Sequence, residues 1–145
     1  MQLTHDFMII ARCESLIANM GIEDAIERSK KYAEAGADVI LIHSNKSDGD
    51  EIFGFLSRFR AINKKIPIAV IPTAYDQFST AELQEKGANI IIYANQITRS
   101  MLQAGKNTLE AIAYAISHDT GISDISEKHC MPTKELIELI QENKL

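Results

Sequence analysis

The sequence predicts an α/β protein built from parallel βα units. Short, continuous apolar runs alternate with longer segments that have helical spacing, and hairpin signals between the runs are absent. Strands that are apolar on both faces and alternate with helices are typical of a parallel sheet covered by helices. The 145 residues, 46% of them hydrophobic, are enough for one domain with a core of its own. We predict a single domain over 1–145, with four βα units over 7–118, a loop over 119–131 and a C-terminal helix over 132–145.

The first two βα units carry the clearest signals. The run Phe7–Ala11 has no polar interruption and predicts a buried strand. Helical spacing follows and closes at Gly36, because glycine is the usual residue just beyond a helix C-terminus. A second continuous run predicts a strand over Val39–Ile42, and helical spacing returns over Asp50–Ile62.

The last two units follow the same pattern. The third strand is predicted over Ile66–Ile71, which is rich in β-branched residues. Ser79–Glu82 is a capping-box signature, and the helix that it starts ends at Gly87. A fourth strand over Asn89–Tyr93 precedes a helix whose apolar face includes Leu109, Ile112, Ala113 and Ile116. A last helix is predicted to begin near Pro132, since proline favours the first turn.

Composition and charge exclude several classes of partner. The net charge of −5 argues against a general nucleic-acid surface, which needs clustered Lys and Arg. No segment reaches the ~20 apolar residues of a membrane span, and the N-terminus lacks the pattern of a signal peptide. The two cysteines, Cys13 and Cys130, form no C-x-x-C pair and fit a reducing compartment. We therefore expect a soluble cytoplasmic protein without nucleic-acid or membrane partners.

Polar side chains follow all four predicted strands, always at the same end. In chain order they are Arg12 and Glu14, then His43 and Ser44, then Thr73, and finally Asn95. In parallel α/β folds the carboxyl ends of the strands form the ligand site. The sequence therefore predicts a binding site where these strand ends meet.

The residue types at this site predict recognition of an anion. Arg12 presents a planar guanidinium that suits bidentate contact with a phosphoryl or carboxylate group, and Glu14 is placed to orient it. His43 is able to donate to an anion or to transfer a proton. The remaining strand-end residues supply neutral donors: Ser44, Thr73 and Asn95.

Structural roles remain as alternatives for the same residues. Arg12 and Glu14 also fit a plain ion pair at the rim of the sheet, and His43 fits a buried histidine with satisfied hydrogen bonds. Thr73 after a proline is also typical of a turn or a helix cap. The stretch from Asp48 to Asp50 lacks the spacing of a calcium-binding loop, and we predict no metal site in this chain.

Four stretches together resemble one enzyme family. They read IARCESLIANMGIEDAIERSKKYAEAGADVILIHS, VIPTAY, IIIYANQITRS and MPTKELIELI, and they extend from about Phe7 to Ile140. The chain resembles the phosphoenolpyruvate mutase branch of the phosphoenolpyruvate mutase and isocitrate lyase superfamily. It departs from the usual pattern at Cys13, where Val is common, and at Ser15, where Ala is common.

The resemblance implies a (β/α)8 barrel enzyme that depends on Mg2+ and handles phosphonopyruvate or phosphoenolpyruvate. Mutases of this kind are isomerases of phosphonate biosynthesis that form a C–P bond by moving a phosphoryl group from oxygen to carbon. By motif, Arg12 corresponds to the arginine that binds the anionic end of the substrate. His43 corresponds to the strand-end histidine that contacts phosphoryl or carboxylate oxygens. A supporting, substrate-binding role is implied for Glu14, Ser44, Thr73 and Asn95.

The resemblance covers only part of such a barrel, which needs ~250 residues. This chain resembles strands five to eight, the second half of the barrel, followed by the C-terminal helix. The family's Mg2+ ligands and mobile loop belong to the other half and are not in this chain. We therefore expect the chain to be inactive alone, and to associate either with an N-terminal half or with itself as a homo-oligomer.

Three alternatives follow. The chain is a fragment of a mutase, or the product of a split gene that pairs with a partner half or with itself, or an open flavodoxin-like sheet that binds an anion without catalysis. Phosphonopyruvate hydrolysis is a closely related activity that remains an alternative to the mutase reaction. The motif PTAY also occurs in sequences of phosphonopyruvate hydrolases. The tail MPTKELIELI favours the mutase over the hydrolase.

Overall fold

The computed structural model describes residues 6–142, apart from the side chain of Glu127. The backbone divides after Ala94 into two compact units. The domain organisation expected from the sequence, one domain over 1–145, stays a prediction.

The first unit is a sheet of four parallel strands in the order β1-β2-β3-β4. The strands are β1 (Ile10–Cys13), β2 (Val39–Ile42), β3 (Ile68–Val70) and β4 (Ile90–Ile91), and the helices between them are α1 (Gly21–Glu34), α2 (Asp50–Ile62) and α3 (Thr80–Glu85). This arrangement confirms the parallel α/β fold that the alternating pattern predicts.

The two faces of the sheet carry different side chains, because successive residues of a strand point to opposite sides. One face packs under the helices, where Ile40, Ile42, Ile68 and Val70 contact an apolar layer that includes Phe55. The opposite face carries a smaller apolar cluster of Val39, Leu41, Ala69 and Ile71, with Ile90 and Ile92 against it. Both sides of the central strands are therefore buried, which explains their continuous apolar sequence.

The capping box predicted at Ser79 is confirmed. The Glu82 backbone N–H donates to Ser79 Oγ at 3.2 Å, and the Ser79 backbone N–H donates to Glu82 Oε2 at 2.7 Å. These bonds satisfy two of the backbone donors left free at the start of α3.

Arg60, near the end of α2, joins three elements of the first unit. Its guanidinium donates to the carbonyl oxygens of Gly87, at 2.9 and 3.0 Å, and of Ile66, at 2.7 Å. It also donates to the side chain of Asn89, whose Oδ1 accepts from the backbone N–H of Ile68 at 2.9 Å. One side chain thus ties the end of α2 to the starts of β3 and β4.

The second unit is helical in its described part. It contains α4 (Gln96–Ser117), α5 (Ser123–His129) and α6 (Thr133–Glu142). The helix predicted near Pro132 is present, and the backbone N–H of Leu136 donates to the Pro132 carbonyl at 3.0 Å. Within residues 6–142, no helix has both the length and the apolarity needed to cross a membrane.

The sequence prediction was wrong for part of the segment 119–131. Its polar composition indicates a loop, but α5 forms there because the N–H groups of Ile125 and Ser126 both donate to the Ile122 carbonyl at 3.1 Å. A helix this short needs little apolar surface, so a composition signal does not detect it.

The first strand also differs from the prediction. It was expected to be buried over Phe7–Ala11, but the structure places it at Ile10–Cys13, and Phe7 and Met8 are 69% and 61% exposed. β1 is an edge strand that pairs only with β2, so one of its sides has no neighbouring strand among the described residues. Arg12 consequently lies within the strand and not after it.

Candidate functional site

The strand register places Arg12 on the face opposite the helices. Arg12 is the partner of Leu41 on β2, and Leu41 is the partner of Ala69 on β3. Leu41 and Ala69 belong to the apolar cluster of that face. Arg12 therefore ends a row of side chains that is otherwise apolar, on the exposed edge strand.

Arg12 and Glu14 form an ion pair at the end of β1. Arg12 Nε donates to Glu14 Oε1, and about half of each side chain is exposed. A pair with this exposure contributes little to stability, about 0–1 kcal/mol. Because the pair engages the Nε–H, the N–H groups on the two terminal nitrogens remain for a planar anion. The arrangement fits both the rim ion pair and the oriented guanidinium that the sequence left open.

His43 lies in the electrostatic field of this pair. Its pKa is lowered from the ordinary value of 6.5, first by burial and second by the positive charge of Arg12. Glu14 and a backbone hydrogen bond at Ile71 act in the opposite direction. His43 Nδ1 is buried and has no hydrogen-bond partner among residues 6–142. A neutral imidazole with an unused ring nitrogen is consequently present beside the Arg12–Glu14 pair.

Ser44 is buried, and its hydroxyl joins the loop after β2 to the first turn of α2. Its Oγ donates to Glu51 Oε2 at 2.8 Å and accepts from the Lys46 backbone N–H at 3.2 Å. Lys46 Nζ lies 2.7 Å from Glu51 Oε1, so the carboxylate joins the hydroxyl to the ammonium. The predicted contact of Ser44 with a substrate stays a prediction.

A second group of the same kind follows β1. Ser15 Oγ donates to Asp24 Oδ2 at 2.6 Å, and Arg28 Nε donates to the same oxygen at 2.7 Å. The Ser15 hydrogen bond, followed by that of Arg28, lowers the pKa of the Asp24 carboxyl. A cavity of about 410 Å3 beside this group is lined by Arg12, Glu14, Arg28 and Tyr32, among others. The sequence reasoning missed Asp24 and Glu51, and their only signal was an acidic residue in the first turn of each following helix.

Thr73 and Asn95 are positioned differently from the first three residues. The Thr73 backbone N–H donates to the Ile71 carbonyl at 2.8 Å, which forms the tight turn that was the structural alternative for this residue. Asn95 begins the second unit, where its carbonyl accepts from the Arg99 N–H at 2.9 Å at the start of α4. A binding role for either residue stays a prediction.

The described residues do not form a metal site. Over residues 6–142, no cluster of three or more His, Cys, Asp or Glu side chains is arranged to hold a metal ion. Mg2+ prefers carboxylate and other oxygen ligands. Glu14, the carboxylate that pairs with Arg12, does not meet that requirement by itself.

These features define a parallel α/β protein whose charged side chains gather at the carboxyl ends of its strands. A family model described as phosphoenolpyruvate phosphomutase matches residues 1–113, and the chain belongs to that family. The resemblance seen in the sequence motifs is confirmed.

Relatives and solved structures agree with this placement. The phosphonopyruvate hydrolase of Variovorax sp. (strain Pal2) is 38% identical over 136 residues, which are 92% of this chain and 44% of the relative. A crystal structure of phosphoenolpyruvate phosphomutase from Streptomyces platensis subsp. rosaceus superposes with a TM-score of 0.82 at 34% identity, covering 99% of this chain and 49% of that one. A phosphonopyruvate hydrolase in complex with oxalate and Mg2+ gives a TM-score of 0.80 at 36% identity, with 99% and 48% covered. The chain thus spans about half the length of the proteins it matches.

Proposed function

We propose that this chain supplies the anion-binding strand ends of a phosphoenolpyruvate phosphomutase-type active site, which interconverts phosphoenolpyruvate and phosphonopyruvate. The observation that carries the proposal is the grouping of Arg12, Glu14 and His43 at the ends of β1 and β2, close enough for both charges to act on the imidazole. Membership of the phosphoenolpyruvate phosphomutase family supports the choice of substrate.

Arg12 would bind the anionic group of the substrate through its free terminal nitrogens. Transfer of a phosphoryl group spreads negative charge over its oxygens, so a fixed guanidinium stabilises the transition state electrostatically. Glu14 would hold the guanidinium plane through the Nε–H.

His43 would act as a neutral hydrogen-bonding group. With its pKa lowered by burial and by Arg12, the ring is neutral at pH 7 and offers one N–H donor and one acceptor. On substrate binding, the ring N–H that is engaged by the Ile71 backbone would turn to a phosphoryl or carboxylate oxygen and complement the charge of Arg12. Thr73 would add a neutral donor, and Ser44 would hold His43 in place through the adjoining backbone. The substrate-binding role expected of Asn95 stays a prediction.

The complete site would need a second half. We propose that the four βα units are strands five to eight of a (β/α)8 barrel, completed by an N-terminal half or by a second copy. The coverage of about half of each relative supports this view. Mg2+ would be held by the complementary half, and the relative that contains Mg2+ and oxalate supports a metal in the complete enzyme. The chain alone would then be inactive.

Phosphonopyruvate hydrolysis is the second candidate, favoured by the 38% identity to the Variovorax hydrolase. The two reactions differ in the acceptor of the phosphoryl group, which is the enolate oxygen in the mutase and water in the hydrolase. The third candidate, a non-catalytic anion-binding module, predicts binding without turnover under any condition.

Binding of a small dicarboxylate tests the proposed site directly. We expect calorimetric titration of the 145-residue chain with oxalate to show saturable binding, which Arg12→Ala weakens about 10-fold or more, because a charge-assisted hydrogen bond contributes about 1.5–3 kcal/mol. Arg58→Ala is the matched control, since Arg58 has the same side-chain exposure, 49%, and also pairs with a glutamate, Glu23. Equal oxalate affinities for the two variants would refute the proposed role of Arg12 in anion binding.

Turnover separates the candidate reactions. Phosphonopyruvate and Mg2+ are incubated with the chain alone, and with the chain plus the N-terminal half of the Variovorax hydrolase, and phosphorus NMR follows the products. Phosphoenolpyruvate indicates that the assembled pair acts as a mutase, and inorganic phosphate indicates that it acts as a hydrolase. We expect neither product from the chain alone, and turnover by the chain alone would refute its description as half of a site.

A further inference from the structure

Two buried serines occupy equivalent places in the first two βα units. Ser15 directly follows Glu14, and Ser44 directly follows His43, so each serine comes immediately after a charged or titratable residue of the candidate site. Both serines are almost fully buried, with 3% and 1% of their surface exposed. A buried hydroxyl needs a hydrogen-bond partner, and each of these has one.

The partner is in both cases a carboxylate in the first turn of the next helix. Ser15 Oγ donates to Asp24 Oδ2 of α1 at 2.6 Å, and Ser44 Oγ donates to Glu51 Oε2 of α2 at 2.8 Å. The two units therefore repeat one arrangement, in which a serine at the strand end is tied to the beginning of the helix that follows.

Each carboxylate is in turn held by a cation. Arg28 Nε lies 2.7 Å from the Asp24 oxygen that accepts from the serine, and Lys46 Nζ lies 2.7 Å from Glu51. A charged partner makes the hydrogen-bonded network stronger, because an ionised acceptor forms the stronger hydrogen bond. The lowered pKa of Asp24, caused first by the Ser15 hydrogen bond, agrees with this arrangement.

Glu14 and His43, the residues that precede the two serines, lie beyond the last pair of the β1–β2 ladder. The last register pair between β1 and β2 is Cys13 with Ile42, so Glu14 and His43 follow the end of the ladder. Their direction is therefore not set by interstrand pairing. Anchoring the next residue restricts the backbone dihedrals that aim these side chains, as supporting hydrogen bonds do in functional sites.

We infer that Ser15–Asp24 and Ser44–Glu51 are positioning pairs that hold Glu14 and His43 toward the strand-end site. In this role the pairs act through the residues that they hold, and contact with a substrate is not required. Their meaning for catalysis depends on the proposed function, whereas their effect on the orientation of His43 does not.

The third βα unit provides a natural control. Ser79 also donates to a carboxylate, that of Glu82, and it caps α3. However, Ser79 lies six residues beyond Thr73, so it stabilises the start of a helix without adjoining a strand-end residue. Ser79→Ala thus measures the cost of losing a serine–carboxylate bond that has no positioning role.

The test is NMR of the ligand-free 145-residue chain labelled at histidine, with the His43 signals assigned through His43→Gln. We expect Ser44→Ala to raise the measured pKa of His43 by about 0.5 or more and to change its tautomer ratio, because a ring released from its place gains contact with water. Ser79→Ala should leave both quantities unchanged although it also lowers stability. A change in His43 no larger than that of the control overturns the inference.

Further variants keep the test decisive. Glu51→Ala should reproduce the effect of Ser44→Ala, whereas Glu51→Gln, which still offers an oxygen to the hydroxyl, should restore most of the wild-type signal. If Ser44→Ala does not fold, Glu51→Ala is compared with Glu82→Ala by the same criterion. Oxalate binding to the unchanged chain tests only the proposed function, so its failure leaves the comparison of histidine signals valid.

Discussion

Burial and the neighbouring charge of Arg12, in that order, lower the pKa of the His43 imidazole. Arg12 comes from the edge strand β1 and His43 follows the adjacent strand β2, so the relationship depends on the parallel pairing of these two strands. The negative charge of Glu14, the partner of Arg12 in the ion pair, raises the pKa of His43 and so opposes this shift. The imidazole is therefore neutral near pH 7, and its charge state reports on any anion that neutralises Arg12.

The first prediction concerns the pH dependence that follows from His43. A histidine whose pKa is lowered by folding binds fewer protons in the folded state than in the unfolded state. The stability that His43 contributes is therefore complete above pH 6.5, the ordinary pKa, and decreases as the pH falls from 6.5 to the lowered pKa. Urea unfolding should show this loss in the wild type and a smaller loss in His43→Gln. Arg12→Ala should raise the measured pKa of His43, and a pKa above 6.5 in the unchanged chain would contradict the structure.

The second prediction concerns acid stability. The Ser15 hydrogen bond, the largest cause, lowers the pKa of Asp24 in the folded state from its ordinary 3.8. The stability that Asp24 contributes is therefore present above pH 3.8 and is lost as the pH falls through the lowered pKa. Asp24→Asn should reduce stability at neutral pH and flatten the acid side of the stability curve. Glu27→Gln, which removes an exposed i,i+4 pair with Lys31, is the control and should change little. Equal effects in urea titrations across the acid range would speak against a special role for Asp24.

The third prediction concerns Arg60. Arg60→Met should lower the free energy of unfolding by about 2–4 kcal/mol, because it leaves the carbonyl oxygens of Ile66 and Gly87 without their donor. Arg58→Met, two residues earlier on the same helix, removes only a surface ion pair and should cost less than about 1 kcal/mol. Chemical denaturation measures both, and similar losses would show that the Arg60 contacts are not structural.

The fourth prediction compares two glycines with left-handed backbones. Gly49 has φ +78°, and a Cβ there would lie 2.6 Å from Phe78 Cε2, whereas Gly21 has φ +83° and nothing within 4 Å. Gly21→Ala should cost about 1–2 kcal/mol from the backbone alone. Gly49→Ala should cost a further ~1–3 kcal/mol for overpacking, because Phe78 is held edge-on against Phe53 at 4.7 Å. Thermal unfolding of both variants gives the difference, and equal losses would mean that the Phe78 ring yields freely.

The sequence was most informative where a short-range pattern determines the element. β2 and α2 were predicted with the bounds observed, Val39–Ile42 and Asp50–Ile62. Burial on both faces gives β2 an uninterrupted apolar run, and Ile52, Leu56 and Phe59 recur at helical spacing along α2. Such signals depend on neighbours in the chain, and no distant contact is needed to interpret them.

Features that depend on distant contacts were not predictable. Arg60 meets Gly87 27 residues away, and no local pattern distinguishes it from Arg58, whose partner Glu23 is 35 residues away. Parallel pairing follows from the fold class and predicts that Arg12 and His43 come close, and the charge of Arg12 does act on the imidazole. Their roles in a binding site stay a prediction. The serine–carboxylate pairs were missed since a serine after a strand gives no sign that its hydroxyl is buried.

The alternation of side chains along β1 constrains how this chain changes over generations. Arg12 faces the candidate site and Cys13 faces the core, and a single added or deleted codon upstream within the strand exchanges the two environments. Such a change would place the guanidinium of Arg12 in the apolar core and would remove it from the candidate site. Point substitutions alter the two faces independently, whereas insertions and deletions in β1 damage binding and folding in one step. A library of single-codon insertions should therefore be depleted across Ile10–Cys13 even where most substitutions survive.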